Sequence, residues 1–557
     1  MLMTLLPQAA DFRCRLGHDG RATLDRTYNL LLNHCSHRLH HLWRDIHQRD
    51  IQAFFKFPPE LDAADIVFEI LRHVGAFPFC RDGLVPLRKV ELMMTISMMT
   101  DHYQSLLEVP EGIQGSKTNW DSWDRLELVF DSLAVDSGPR TSEAGDEVEV
   151  DAELPPGSNS SSAHSCATSR PHVVLPRRRL HLKPGAAPSN NKRIDCDLLV
   201  MAAHDSLGMK SHTNQPESHG HIPIGKLRKF LHLMLVTRVA WPRDKLWGNE
   251  EGQDQMIDRA TDSMKGTFAK AVAISGTPGV TIEHFYRIIP VYFPNLFEGL
   301  AHLFGEFLSE ARLSSRAAKG PLIERHWKEG LGPMIMCDAI IMQLGMFLPR
   351  SQLLCGPALV FHSVHDTEVN MAEFESRTNG LKRTVLLVKG ITVPNKRWGG
   401  GKTSWHDSLV DVGSPAASPQ TRTYGVYLPE PWQPTGEFTF GGQDMLLFRL
   451  EPTHEVFPVT GAKDHDYMWF PETREGRRSM ITFGSPPRHK RWQRPTWPWP
   501  ALPLLGGVSL MVEGGMRNAV FLHNRRQPHS FRPSAVDENQ VVNEVLAVER
   551  VEVWRFR

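Results

Sequence analysis

The run Val551-Glu552-Val553-Trp554-Arg555-Phe556 is rich in β-branched and aromatic residues, which is typical of a β-strand. It lies almost at the C-terminus, so we expect this strand to complete the fold rather than trail from it. Similar stretches, bounded by Gly, Pro, Asn or Asp, occur throughout the last two hundred residues. The predicted strands are 384–389, 423–428, 445–450, 467–470, 480–483, 508–512, 518–523 and 545–556. This pattern predicts an antiparallel two-sheet β-sandwich, with one early helix at 370–377.

Several fragments of this region are more specific than a generic sandwich. In chain order they are Phe361-His362-Ser363, the run 384–390, Tyr424-Gly425-Val426-Tyr427 with Pro431-Trp432, Gly441-Gly442-Gln443-Asp444, the run 482–487, and the closing run 551–556. In this order and spacing they resemble the TLDc domain, a two-sheet sandwich found in oxidation-resistance proteins and in regulators of the vacuolar proton pump. The resemblance covers roughly 334–557.

The resemblance extends upstream of the predicted sandwich. Gly75-Ala76-Phe77-Pro78-Phe79, followed by a Met-rich predicted helix at 90–103, is similar to the fungal restriction of telomere capping protein five family. Two departures stand out. Members of that family start Met-Gly, whereas this sequence begins Met1-Leu2, so N-myristoylation at position 2 is not expected. The loop 394–422 is expanded, which a sandwich loop tolerates.

The resemblance implies a regulatory protein without enzymatic activity. It implies binding to the peripheral sector of the vacuolar proton-translocating ATPase and control of its assembly, with indirect effects on telomere capping or oxidative-stress resistance. The family motif residues are expected to be structural, with glycines at turns or close approaches and Trp432, Phe448 and Trp554 in the core between the sheets. They are Gly390, Tyr424, Gly425, Pro431, Trp432, Gly441, Gly442, Phe448, Phe483, Gly484 and Trp554.

Composition limits the classes of function. Sixty-three basic residues balance sixty-three acidic ones in 557 residues, which argues against direct binding to nucleic acid. The seven cysteines are far apart and include no Cys-x-x-Cys pair, which indicates a reducing compartment. The N-terminus lacks the apolar core of a signal peptide, and the apolar stretch 334–348 is shorter than a bilayer span. We therefore expect a cytoplasmic protein, with any membrane contact made through a partner or an N-terminal acyl group.

Composition and hydrophobic pattern divide the chain into four predicted segments. Residues 1–136 form a helical region, in which Ile66, Ile70 and Val74 repeat at helical spacing. Residues 137–193 form an acidic, Ser-rich and then basic insert, whose low hydrophobicity and clustered charge predict disorder. Residues 194–333 form a second helical region with an apolar stripe over 296–308. The sandwich follows at 334–557.

Three motifs contain residue types found in catalytic or metal sites but lack the spacing or the further ligands that such sites require. The Gly399-Gly400-Gly401-Lys402-Thr403 loop lacks the first glycine of a Walker A motif, and it joins two predicted strands; a nucleotide-dependent enzyme or hydrolase using this loop is the alternative function. Ser404, His406 and Asp407 are too close in sequence to form a catalytic triad. His37 and His41 share a helix face but have no second ligand cluster. We expect no catalytic residue, cofactor or metal.

Two further segments are candidate contact sites. The basic run Arg177–Arg179 is either a localisation or anionic-lipid patch or a solvated linker. The tract 488–500 contains Trp492, Trp497 and Trp499 among alternate prolines. If exposed, these tryptophans would form a partner-binding surface; otherwise the tract folds back onto the sandwich.

Overall fold

The computed structural model describes most of the C-terminal half and parts of the N-terminal half. The described ranges are 17–33, 46–55, 63–76, 79–80, 122–135, 172–173, 220–237, 253–305, 334–348, 357–363, 371–393, 418–434, 441–460, 467–470, 480–484, 506–525, 530–537 and 541–556, with residues 57, 92, 95, 96, 99 and 307. The chain divides into two compact units, one made of most of residues 1–222 and one containing Pro223–Arg557.

The first unit is helical in its described part. Its helices are α1 (Gly17–Asn33), α2 (Gln48–Phe55), α3 (Ala63–Ala76) and α4 (Ser122–Leu133). The repeat of Ile66, Ile70 and Val74 lies in α3, and all three side chains are buried, as that spacing predicts. Of the predicted disordered insert 137–193, only His172 and Val173 are described. They form strand β2 (His172–Val173) and pair with β1 (Phe79–Cys80).

The second unit begins with a group of helices. These are α5 (Ile224–Thr237), α6 (Gln253–Ser275), α7 (Ile282–Tyr292), α8 (Glu298–Gly305), α9 (Asp338–Gly345) and α10 (Met371–Thr378). Helix α5 packs against α6 and α8. A Cβ added at Gly299 of α8 would lie 2.9 Å from the carbonyl oxygen of Met234 in α5, so glycine permits the close approach of these helices. The apolar segment 334–348 contains the buried helix α9, as predicted.

The strands of the second unit are all antiparallel to their neighbours. They are β3 (Pro357–His362), β4 (Thr384–Thr392), β5 (Thr421–Leu428), β6 (Leu446–Glu451), β7 (Glu455–Pro458), β8 (Met468–Trp469), β9 (Met480–Phe483), β10 (Val508–Glu513), β11 (Asn518–His523) and β12 (Val542–Phe556). Their order is β7-β6-β5-β4-β12-β11-β10-β9-β8, with β3 also paired to β12.

The described strands of the second unit form one continuous sheet, whereas the sequence predicts two stacked sheets. The reason is β12, which has fifteen residues and a register shift between Val548 and Arg550. Its first half pairs with β11, its second half pairs with β3, and β4 runs along its other edge. The two halves of this sheet face each other across one core, where the rings of Tyr424 and Phe521 stack with centroids 4.4 Å apart. We call this arrangement the folded sheet.

The α+β class and the C-terminal antiparallel sheet are confirmed. All eight predicted strands and the helix at 370–377 are present, with boundaries that differ by up to three residues. Two strands, β3 and β7, were not predicted. Strand β7 has only four residues and ends at Pro458, and such a short segment carries little alternation for a sequence pattern to show. The start of β5 includes Arg422, so the expanded loop is shorter than predicted.

A glycine in β5 gives a direct test of this packing. A Cβ at Gly425 would lie 2.3 Å from the ring of Phe448 on the paired strand β6, so one of them must move. We expect Gly425→Ala to lower the free energy of unfolding by about 1–3 kcal/mol, because overpacking forces strained side chains or backbone shifts. Urea denaturation measures the change. Gly515→Ala is the matched control, since its Cβ would meet no atom within 4 Å; an equal loss in both variants would contradict the packing.

Candidate functional site

The turn between β6 and β7 inserts into the helices of the second unit. Ser263 of α6 donates from its hydroxyl to the carbonyl oxygen of Leu450, and Thr267 donates to that of His454. The amide of His454 donates in return to the carbonyl oxygen of Ser263, at 3.1 Å. Gln343 of α9 also donates to Leu450 O, at 3.1 Å. Two helices therefore satisfy backbone groups of Leu450 and His454, the buried residues on either side of the turn, which would otherwise lie away from water without partners.

His454 itself is fully buried between aromatic rings. Its ring centroid lies 4.7 Å from that of Phe293 and 5.4 Å from that of Phe347. Nε2 lies 3.2 Å from the carbonyl oxygen of Tyr292 and must donate to it, so Nδ1 accepts from the Gln343 amide at 3.1 Å. Burial lowers the pKa of His454 to about 3. The imidazole is thus a neutral structural group with both nitrogens paired.

Arg449 and Glu455 form a buried ion pair beside this turn. Their side chains are 7% and 3% exposed, and Arg449 Nη2 lies 2.6 Å from Glu455 Oε2. Burial alone would lower the pKa of Arg449, but the adjacent Glu455 raises it above its usual value. Lys270 of α6 lies 3.5 Å from Glu455 Oε1. A single carboxylate therefore joins a strand of the folded sheet to a helix.

A second, partly buried ion pair, between Arg422 and Glu544, lies next to the first. The Tyr424 hydroxyl, which also contacts Arg449, donates to Glu544 Oε2 at 2.5 Å. Arg422 holds both oxygens of Glu544 at 3.0 Å. Burial would raise the pKa of Glu544, but hydrogen bonds from Arg422 and Tyr424 lower it. Burial raises the pKa of Tyr424 well above its usual range, so its hydroxyl stays protonated.

A strap between β11 and β12, residues 530–537, completes the arrangement. The Tyr292 hydroxyl of α7 accepts from the amide of Ala535 at 2.7 Å and lies 3.1 Å from Ser534 Oγ. Ser534 in turn donates to Glu455 Oε1, at 3.2 Å. Arg287 donates to the carbonyl oxygen of Val536 at 2.6 Å. We call the set Lys270, Tyr292, Gln343, Arg449, His454, Glu455 and Ser534 the polar junction, because it ties helices α6, α7 and α9 to the folded sheet.

Comparison with known proteins identifies the sheet that this junction supports. Residues 332–557 match the family model described as the TLDc domain. These residues are the part of the chain that we call the TLDc domain. The match begins just before α9 and includes every strand from β3 to β12, so the TLDc domain supplies Gln343, Arg449, His454, Glu455 and Ser534 to the polar junction. Helices α6 and α7, which supply Lys270 and Tyr292, lie outside it.

Relatives extend the similarity beyond the TLDc domain. The chain is 28% identical over 525 residues to the restriction of telomere capping protein 5 of Fusarium vanettenii, covering 90% of this chain and 81% of that protein. It is 27% identical over 534 residues to the protein of the same name from Colletotrichum graminicola, covering 92% and 82%. The Neurospora crassa protein of that name is 27% identical over 532 residues, covering 90% and 80%. The similarity therefore includes the helices that support the TLDc domain.

The family motif residues occupy several kinds of position in the TLDc domain. Gly441 and Gly484 have φ angles of 126° and 88°, which favour glycine. Trp432 lies in the core of the folded sheet, and its indole donates to Thr384 Oγ1 at 2.7 Å. Phe448 packs on the other face, 5.1 Å from the ring of Phe347. The remaining motif residues also lie in the TLDc domain: Gly390, Tyr424, Phe483 and Trp554 in strands, Gly425 beneath Phe448, and Pro431 and Gly442 between strands.

Trp554 and Phe448 therefore differ from the expectation that they lie between two sheets. Both alternate with residues of the main core, Val553 and Leu447, and so face outward from the folded sheet. Trp554 donates from its indole to Glu552 Oε2 at 2.8 Å. The same carboxylate group accepts the amides of Ile335 and Met336, at 2.6 and 3.0 Å. These outward aromatic residues are buried by the rest of the second unit.

The segments that suggested chemistry lie outside the described residues. These are Gly399–Thr403, Ser404, His406 and Asp407, His37 and His41, Arg177–Arg179, and Trp492, Trp497 and Trp499. Within the described ranges, no group of three or more His, Cys, Asp or Glu side chains could hold a metal ion. No helix in those ranges is long and apolar enough to cross a bilayer.

Sequence reasoning missed the polar junction. One signal was available: Arg449 and Glu455 share the inward-facing alternation of Leu447 and Phe457, and an inward charge in a strand requires a buried partner. No comparable signal marks Ser534, because its contact with Tyr292 spans 242 positions.

The Tyr292 hydroxyl provides a test of the strap. We expect Tyr292→Phe to lower the free energy of unfolding by about 1 kcal/mol, since it leaves the half-buried Ala535 amide without an acceptor. Hydrogen exchange should show faster exchange at Ala535 and its neighbours, while the amides of β10 and β11 keep their protection. Unchanged exchange in the strap would contradict the role assigned to the hydroxyl.

Proposed function

We propose that this protein is a non-enzymatic regulator whose TLDc domain binds the peripheral sector of the vacuolar proton-translocating ATPase and modulates assembly of that pump. The observation that carries the proposal is the TLDc match over 332–557. The motif resemblance of this domain to regulators of the vacuolar pump supports this choice of partner. In this proposal the protein is cytoplasmic and reaches the vacuolar membrane surface through its partner.

The geometry of the polar junction supports a binding role. Perturbed pKa values often mark catalytic groups, and His454 and Arg449 have them. Both side chains are buried, however, and their hydrogen bonds go to Gln343, Tyr292 and Glu455. These groups are therefore committed to holding helices and sheet together. The function is then carried by the surface of the second unit, not by a reaction centre in its interior.

Assembly control requires a difference in affinity. A protein that bound the detached sector and the intact pump equally would not shift the equilibrium between them. The second unit combines helices α5 to α8 and the TLDc domain in one compact body, which can present a surface from both parts. We propose that this body fits a surface of the peripheral sector that is accessible only when the sector is detached.

Binding of the full chain to the two forms of the pump tests the proposal. The full-length protein, immobilised, is incubated with matched concentrations of purified detached sector and of intact pump. We expect preferential capture of the detached sector, at least about tenfold, which corresponds to about 1.4 kcal/mol of differential affinity. The same protein after thermal unfolding is the control for nonspecific capture. Absence of binding by the folded protein would contradict the proposal.

The name of the relatives suggests an effect on telomere capping. We propose that any such effect, like an effect on oxidative-stress resistance, is indirect. The equal numbers of acidic and basic residues support this view, because direct binding to DNA relies on excess positive charge. Salt-sensitive binding of the purified protein to duplex DNA would contradict it.

A further inference from the structure

The outward face of strands β9 to β12 is apolar and buried. Its members form a cluster separate from the main core, and each is only 2–8% exposed. We call this cluster the outer patch: Met480, Met511, Val520, Leu522 and Val545. Their neighbours Leu510 and Phe521 belong to the main core, so strand alternation places the outer patch on the opposite face of the sheet. An outward face of this kind is ordinarily in contact with water.

Pairing of the strands makes the outer patch continuous. Met511 lies opposite Thr482 on one side and Val520 on the other, and Val520 lies opposite Val545. Thr482 is fully buried on this face, and its hydroxyl has no hydrogen-bond partner. The row from β9 to β12 is therefore the base of a covered surface.

The described helices make no extensive contact with this part of the sheet. Their extensive contacts with strands are made with β3, β6 and β7, whereas β9, β10 and β11 have extensive contacts only with other strands. The outer patch is buried within the chain itself, and Val393 is the described residue that packs against it. We infer that residues outside the described ranges supply the rest of the cover.

We propose that the outer patch is the docking surface of the chain's own segment 485–505, with Trp492, Trp497 and Trp499 as the contacting side chains. The segment connects β9 to β10, which carry Met480 and Met511 of the patch. Its ends meet, because the amide of Gly506 donates to the carbonyl oxygen of Gly484 at 3.1 Å. Twenty-one residues can extend about 70 Å, and the patch is about 15 Å wide, so the segment can cross it and return.

The composition of the segment fits this role. Six of its residues are Trp or Leu, which supply apolar area, and six are Pro, which reduce the entropy lost on ordering. Methionine at positions 480 and 511 suits tryptophan, because thioethers pack favourably against aromatic rings. The rival segment is 394–417, since Val393 before it packs against the outer patch. That segment has four glycines and two tryptophans, so ordering it would cost more and cover less.

Methionine oxidation tests the proposal in the full-length chain. Peroxide treatment followed by mass spectrometry gives the oxidation rate of Met511 relative to that of Met445, which is buried in the main core. We expect the triple variant Trp492→Ser, Trp497→Ser, Trp499→Ser to raise this ratio roughly tenfold, because exposure controls thioether oxidation. A second variant, with 487–503 replaced by a short Gly-Ser linker, should give the same increase. An unchanged ratio in both variants would overturn the proposal.

The control variants identify other occupants. Trp398→Ser with Trp405→Ser should leave the Met511 ratio at its wild-type value. A rise in this pair instead would assign the cover to 394–417 and overturn the proposal. Dependence of the wild-type ratio on protein concentration would assign the cover to a second copy of the chain, with the same consequence. None of these outcomes bears on binding to the pump, so the two proposals stand or fall separately.

Discussion

Replacing Arg449 by Met is expected to lower the free energy of unfolding of the second unit by about 3–5 kcal/mol. The substitution keeps much of the side-chain volume but removes the positive charge that faces Glu455 at 2.6 Å. Glu455 would then remain buried with only the more distant Lys270 and the Ser534 hydroxyl as partners. A buried carboxylate without its guanidinium is costly because the interior solvates charge poorly. Urea denaturation near pH 7 measures the loss.

The double variant Arg449→Met, Glu455→Gln serves as the matched control. It removes both charges, so it should recover a large part of the stability lost in Arg449→Met alone. Equal stability of the single variant and the wild type would contradict the polar junction. So would a double variant that loses the sum of the two single effects, because independent sites would then be indicated.

We expect the second unit to lose stability on acidification at pH values above those at which its carboxylates become protonated. His454 titrates at 6.5 when unfolded but at about 3 when folded, so between these values the unfolded state binds more protons. The contribution of His454 to the free energy of unfolding is therefore fully present above pH 6.5. Below that pH it falls by about 1.4 kcal/mol per pH unit. From pH 7.5 to 5.0 we expect a loss of about 2 kcal/mol from His454. Burial also lowers the pKa of His362, His284 and His232, which act in the same direction.

Urea denaturation at pH 7.5 and pH 5.0 measures this loss. The variant His454→Gln, which cannot take up a proton at this position, should show a smaller difference between the two pH values. Glu544 has a lowered pKa, so its contribution is lost only as pH falls below 4.5 and does not enter this range. Equal pH dependence in wild type and variant would contradict the account of His454.

Local patterns in the sequence were sufficient for eight of the ten described strands of the second unit and for α10. Strands such as β11 and the end of β12 are rich in β-branched and aromatic residues, and these features act over a few positions. The single sheet could not be predicted in this way. It depends on β12 pairing with β3, β4 and β11 at once, which is a property of the whole strand order.

The polar junction shows the same limit for the candidate site. Thr267 and His454 are 187 positions apart, and Tyr292 and Ser534 are 242 apart. No local spacing links such residues, although the inward charges of Arg449 and Glu455 call for partners. The family motif identified the domain through Tyr424 and Trp432, and the structure then showed what supports that domain from outside the match.

Assembly of the purified vacuolar pump in the presence of this protein tests the central claim most directly. Detached sectors are mixed under conditions that favour reassembly, with and without an excess of the folded full-length chain, and the assembled fraction is measured by sedimentation and by ATP-driven proton transport. We predict that the protein lowers the assembled fraction, because in the proposed function it binds the detached sector more tightly than the intact pump. An assembled fraction that does not change with saturating protein would contradict the account.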